Sequence, residues 1–141
     1  MRITVQRTEP LYEMEATSQS GWKVKMDAGV AGGGKGQGVR PTELMIMALG
    51  GCSGIDVIGI LEKQRQEITK FEIELDAERA DAIPAVFTRV HVHFIFEGEL
   101  DPGKVRRAIS LSIEKYCTVS RTLSSTATIT TSFSVNGTRY D

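Results

Sequence analysis

Charge of neither sign dominates this chain. Its 17 basic residues face 18 acidic ones, a net charge of −1, which gives no polyelectrolyte basis for binding nucleic acid or an anionic membrane surface. Cysteine is scarce: Cys52 and Cys117 are the only two. The opening "MRITVQRTEP" lacks an apolar h-region, so no secretory signal is expected. The expected compartment is the cytoplasm, where two cysteines are not expected to form a static structural disulfide. Repeats, linkers and low-complexity tracts are absent too, so a single domain over residues 1–141 is the reading. A chain this long buries roughly 68–70% of its unfolded surface and needs neither disulfide nor metal to fold. Only one long apolar run exists, at 44–61. It is nearly long enough to span a bilayer, but it contains Asp56 and four glycines and is followed by the polar "EKQRQE". A buried helix fits it better.

What is present reads as a mixed fold. Residues 2–5 alternate polar and apolar as a half-buried strand does. "LYEMEA" (11–16) is a weaker strand, and Trp22, Val24 and Met26 alternate with lysines in a third. "AGVAGGGKGQG" (28–38) reads as a flexible loop. Pro41 suits a first helical turn, and a long helix is expected from about 41 to 65, apolar nearly all round and therefore central. Strands follow at 71–78 and 86–96. Asp101 and Pro102 open a second helix with the stripe Val105, Ile109, Ile113 and Cys117. "TVSRTL" starts a short third helix with Thr118 or Ser120 near its cap, and residues 127–135 alternate as a last strand. The order β-β-β-α-β-β-α-α-β predicts an α+β domain.

Four features invite chemistry. "GVAGGGKG" (29–36) nearly matches a phosphate-binding loop, but position 36 is Gly where a metal-binding hydroxyl belongs; a mobile loop is the expectation. His91 and His93 share one strand face with no third metal ligand evident, so a solvated face shared with Arg89 is expected. Asp56 lies one helical turn after Cys52; an unpaired carboxylate there would raise the thiol pKa, so a base or N–H partner is expected. Cys52 and Cys117 read as two small buried apolar side chains or as a reactive pair. Gly51, Ser53 and Gly54 cannot shield Cys52. Cys117 falls at a helix end, which is accessible, and heads the C-x-x-S stretch "CTVS" near a helix start, a setting that favours a thiolate.

These residues carry a resemblance. "RPTELMIMALGGCSGIDV" around Cys52, "EKYCTVSRTL" around Cys117 and their 65-residue separation resemble the OsmC/Ohr family, the osmotically inducible and organic-hydroperoxide-resistance proteins, in a less-characterised OsmC-like branch. The resemblance implies an intertwined homodimer with the long central helix buried at its interface. It implies a thiol peroxidase for organic hydroperoxides without haem, flavin or metal cofactor, regenerated by an external thiol or dithiol. In that chemistry Cys52 becomes a sulfenic acid and Cys117 condenses with it to a disulfide. The glycines of the central helix would let a second chain or substrate approach the Cys52 sulfur.

The chain departs from the family pattern at one point. The family places a glutamate directly after the proline of the first motif and pairs it with an arginine from the N-terminal strands; here Thr42 follows Pro41 and Glu43 comes next. Arg40, Arg2 and Arg7 are candidate partners, with Lys23 and Lys25 as weaker ones. In one continuous helix Glu43 lies about 13–14 Å along the axis from Cys52 and on the opposite side, so it would serve the other chain of a dimer, paired with a base such as Arg40, or face solvent. Cys52, Cys117, Glu43 and Arg40 are the expected catalytic residues. The competing reading is a non-catalytic dimeric module for redox sensing or small-ligand binding.

Overall fold

The computed structural model describes all of residues 1–141, as two compact units, Met1–Met45 and Ile46–Asp141. In the first, the alternating segments form a three-stranded antiparallel meander of β1 (Ile3–Arg7), β2 (Met14–Ser18) and β3 (Lys23–Met26). Val5, Ala16 and Val24 pair in register across it and so share a face. The expectation of a half-buried first strand is corrected here: Ile3, Val5 and Val24 are exposed, and Trp22 just before β3 is 80% exposed. The alternation is real, but a single chain leaves its apolar side uncovered.

Helix α1 (Pro41–Lys63) starts at Pro41 as expected and ends two residues before the expected limit. In the second unit, β4 (Glu67–Arg79) and β5 (Phe87–Glu99) form a long antiparallel hairpin. β6 (Thr128–Val135) lies parallel to β5, and a short β7 (Thr138–Tyr140), not expected from the sequence, closes the sheet in the order β4-β5-β6-β7. The β5-to-β6 crossover carries α2 (Pro102–Leu111), capped by the Asp101 carboxylate accepting from the Lys104 N–H, and α3 (Thr118–Leu123). Val90, Val92, Phe94 and Phe96 turn one face of β5 into the core, against Leu49, Val57 and Leu61 of α1 and Val105, Ala108 and Ile109 of α2.

The α1 glycines have a direct structural reason. A Cβ on Gly50 would sit 2.9 Å from Leu75 Cδ1, and one on Gly54 would sit 3.0 Å from Ile73 Cδ1 and 3.2 Å from Phe71 Cε1. These two glycines, four residues apart on one helix face, let α1 lie close on β4. This corrects the expectation that they open a path to the sulfur. On the other side, Gly51 and Gly59 have nothing within 4 Å, and Ile55 is 74% exposed. Within one chain α1 is therefore buried on one face only, although its sequence is apolar all round.

Candidate active site

Cys52 rides on α1, half-buried, with Asp56 one turn further on. Cys117 reaches the same place by an irregularity in the chain. After α2 the helix widens into a single π turn, Ser112–Tyr116, closed by the Cys117 N–H donating to the Ser112 carbonyl at 2.7 Å. Cys117 then adopts an extended backbone (φ −71°, ψ 106°) and becomes the N-cap of α3, its Sγ accepting from the Ser120 N–H at 3.3 Å. Cys117 packs in the core with Val105 and Ile109 of the α2 stripe, as expected, although the regular helix gives way to the π turn before it; the expectation of Thr118 or Ser120 as the cap is corrected, because the Cys117 sulfur is itself the cap. So is its expected accessibility, because Cys117 is only 2% exposed.

The Cys52 sulfur, the Cys117 sulfur and an Asp56 carboxylate oxygen all lie within 4.8 Å of one another. Burial pushes the Cys117 thiol up to about 11, against the Ser120 N–H that favours its thiolate, and the adjoining Cys52 sulfur raises it further. At neutral pH Cys117 is a protonated thiol behind a half-exposed partner. Both sulfurs are free. Asp56 finds neither the base nor the N–H expected for it; its Oδ2 accepts the Ser112 hydroxyl at 3.1 Å. Ser112 is fully buried, and its hydroxyl also lies 3.4 Å from the Ser53 carbonyl. Ser120 anchors the other side, donating its hydroxyl to the Ile113 carbonyl at 2.9 Å. Ser112 did not stand out in the sequence; Ser120 was marked by "CTVS" and as a cap candidate, but not as a support for Cys117. Asp56 also lines an open groove of about 700 Å³ whose walls are partly apolar (Ile55, Ile60, Leu111, Tyr116) and partly polar (Lys63, Gln64).

Arg40 and Glu43 meet at the start of α1. Arg40 Nη2 lies 2.6 Å from Glu43 Oε1, and the Arg40 backbone N–H donates to Glu43 Oε2 at 2.9 Å. The second bond is the return half of a capping box, a residue three into the helix reaching back to its N-cap. Hydrogen bonds from the Arg40 guanidinium and backbone hold the Glu43 carboxyl below its ordinary range. Lys23 and Lys25 are engaged with Glu15 and Glu13.

The other sequence features resolve into structure. The glycine-rich loop spends its amides on its own chain: the buried Asp27 carboxylate accepts from Ala28 at 2.7 Å, Lys35 at 3.1 Å and Gln37 at 3.2 Å. A Cβ on Gly34 would stand 2.0 Å from the Ala28 carbonyl oxygen, so the loop closes on itself. Burial would raise the Asp27 carboxyl, but those amides hold it below its usual value. His91 and His93 share a face as expected, but it is half-buried. Their ring nitrogens meet hydroxyls: His91 Nδ1 with Thr130 at 2.8 Å, and His91 Nε2 and His93 Nδ1 with Ser132 at 2.8 and 2.7 Å. Burial, with Arg139 nearby, lowers the His93 pKa.

The sequence pattern of the OsmC-like protein family matches residues 33–132. Over 119 residues the chain is 41% identical to Protein YhfA of Escherichia coli strain K12, covering 84% of this chain and 86% of that protein. Among solved structures, a hypothetical protein from Aquifex aeolicus has 24% identity and a TM-score of 0.84, covering 96% of this chain and 95% of its own. An organic hydroperoxide resistance protein OsmC from Legionella pneumophila has 15% identity and a TM-score of 0.74, covering 95% and 96%. At these identities the two structures establish a shared fold.

Proposed function

The chain belongs to the OsmC-like protein family, and from that premise we propose that it is a thiol-dependent peroxidase that reduces organic hydroperoxides. The observation that carries the proposal is the pair of sulfurs within 4.8 Å, one half-exposed and one buried and protonated. The Cys52 thiolate attacks the outer peroxide oxygen. The O–O bond breaks, the alkoxide leaves as the alcohol with one proton, and Cys52 becomes a sulfenic acid. Cys117 attacks that sulfur and gives up its proton, water leaves, and a Cys52–Cys117 disulfide remains. A cytoplasmic thiol or dithiol then supplies two electrons and two protons to restore both thiols. Cys52 packs against the apolar core, and such a surround favours an alkyl hydroperoxide over hydrogen peroxide, because the alkyl group gains by burial.

The working form in this proposal is a homodimer. The open side of α1, with Gly51, Ile55 and Gly59, and the uncovered Ile3, Val5, Trp22 and Val24 of the N-terminal sheet are apolar surface of the kind a second copy covers. In it, the Arg40–Glu43 pair of one chain supports the Cys52 thiolate of the other. The direct test is turnover of cumene hydroperoxide with a dithiol reductant, expected to exceed that of hydrogen peroxide; no turnover with any thiol or dithiol donor would count against the proposal.

A further inference from the structure

Asp56 is left without work by the peroxide chemistry. A carboxylate beside two sulfurs opposes thiolate formation, yet the chain holds this one in place with the buried Ser112 hydroxyl at 3.1 Å. We infer that Cys52, Cys117 and Asp56 form a Zn²⁺ site of two thiolates and one carboxylate oxygen. The fourth position is open to water or to an incoming thiol.

The geometry suits the ion. Zinc bonds of about 2.3 Å to sulfur and about 2.0–2.2 Å to oxygen put tetrahedral donors about 3.5–3.8 Å apart. The three donor atoms already converge within 4.8 Å, so a contraction of about 1 Å closes the site. Two sulfurs with an oxygen donor suit this borderline-soft ion better than Mg²⁺ or Ca²⁺, which take oxygen. Supporting contacts are in place as well. Ser112 orients the carboxylate, and the Ser120 N–H, at 3.3 Å, holds the Cys117 sulfur; partners of this kind tune metal affinity. Half-exposed Cys52 provides an entry path. The cation also removes the electrostatic conflict, since it turns the carboxylate from an opponent of the two thiolates into a fellow ligand. A Cys52–Cys117 disulfide removes two of the three donors, so oxidation and metal binding exclude each other. The inference stands on the donor geometry and does not depend on the peroxidase reading.

The test uses the reduced full-length chain and Co²⁺ as a spectroscopic probe, followed by competition with Zn²⁺. One Co²⁺ per chain is expected, with sulfur-to-cobalt charge-transfer absorption that Zn²⁺ abolishes. The band should be lost in Cys52→Ser. Asp56→Asn keeps the size of the side chain and its capacity to accept from Ser112, and should weaken binding at least tenfold; Ser112→Ala should weaken it by about 10- to 100-fold. Circular dichroism checks that each variant is folded. No charge-transfer band in the reduced wild type, or Asp56→Asn binding as tightly as the wild type, would overturn the site. The readout is binding and not turnover, so it separates this inference from the fate of the peroxidase proposal.

Discussion

Replacing each cysteine by serine makes the division of labour between them measurable. Cys117 is raised from 9.0 to about 11, chiefly by burial. A rise of that size leaves about 100-fold less thiolate at neutral pH than an ordinary thiol has. Cys52→Ser removes the contribution of the neighbouring sulfur but keeps the burial. Cys117 alone should then react with iodoacetamide at pH 7 about 10- to 100-fold more slowly than free cysteine, with the rate still climbing above pH 9. Peroxide consumption should disappear. Cys117→Ser should behave differently. A hydroxyl in that buried position costs about 1–3 kcal/mol if left unpaired, but here its oxygen inherits the Ser120 N–H at an N-cap that serine favours. A loss near about 1 kcal/mol or less is expected, small enough to leave the chain folded. This variant should consume one peroxide per chain and stop, with a sulfenic acid on Cys52 that dimedone labels and mass spectrometry locates. If Cys117→Ser blocked the first oxidation, or if Cys117 in Cys52→Ser alkylated with a plateau near pH 8, the assignment of roles would be wrong.

Four further outcomes rest on the Cys117 burial and on other contacts. Because Cys117 keeps its proton longer folded than unfolded, its contribution to stability is complete below about pH 9 and lost as pH rises through about 11; the reduced wild type should lose melting temperature over that window more steeply than Cys117→Ser. Gly51→Ala meets nothing within 4 Å, so in a monomer it should stabilise by about 1 kcal/mol through helix propensity. Gly54→Ala strikes Ile73 and Phe71 and should destabilise by about 1–3 kcal/mol of overpacking, less that gain; the proposed dimer reverses the sign for Gly51→Ala, and sedimentation of that variant at micromolar concentration reports whether a partner was displaced. Glu43→Ala removes the partner that Arg40 holds at 2.6 Å and should slow Cys52 oxidation by roughly tenfold, the equivalent of about 1.4 kcal/mol; an unchanged rate would assign the pair to helix capping alone.

Local rules made most of this fold legible. Pro41 and the Asp101-Pro102 pair marked helix starts that the structure keeps; alternation located β4, which begins four residues earlier at Glu67, and β5 was bounded by Pro84 and Gly98. Three things were not written in local pattern. The π turn at Ser112–Tyr116 has no periodicity to announce it, yet it swings Cys117 out of its helix and under Cys52. Gly50 and Gly54 looked like exposure near a sulfur, but their purpose is the close seat of α1 on Phe71, Ile73 and Leu75, a long-range contact that sequence spacing does not reveal. The glycine-rich loop read as a mobile loop rather than an anion site, and spacing did not show that its amides wrap the carboxylate of Asp27. At the candidate site the two cysteines were readable from residue type and spacing, whereas Arg40 and Glu43 were named only through the family resemblance. The buried serines that position Asp56 and Cys117 were not readable in that role, because serine is common and its partners lie across the fold.

The central claim is that Cys52 and Cys117 act together on a peroxide. It is tested most directly by counting free thiols in the fully reduced chain before and after one equivalent of cumene hydroperoxide, with the products mapped by mass spectrometry. The two sulfurs within 4.8 Å predict rapid loss of both thiols on each chain and a single Cys52–Cys117 disulfide. An unchanged thiol count, with the peroxide intact, would contradict the account and favour a fold kept for binding alone.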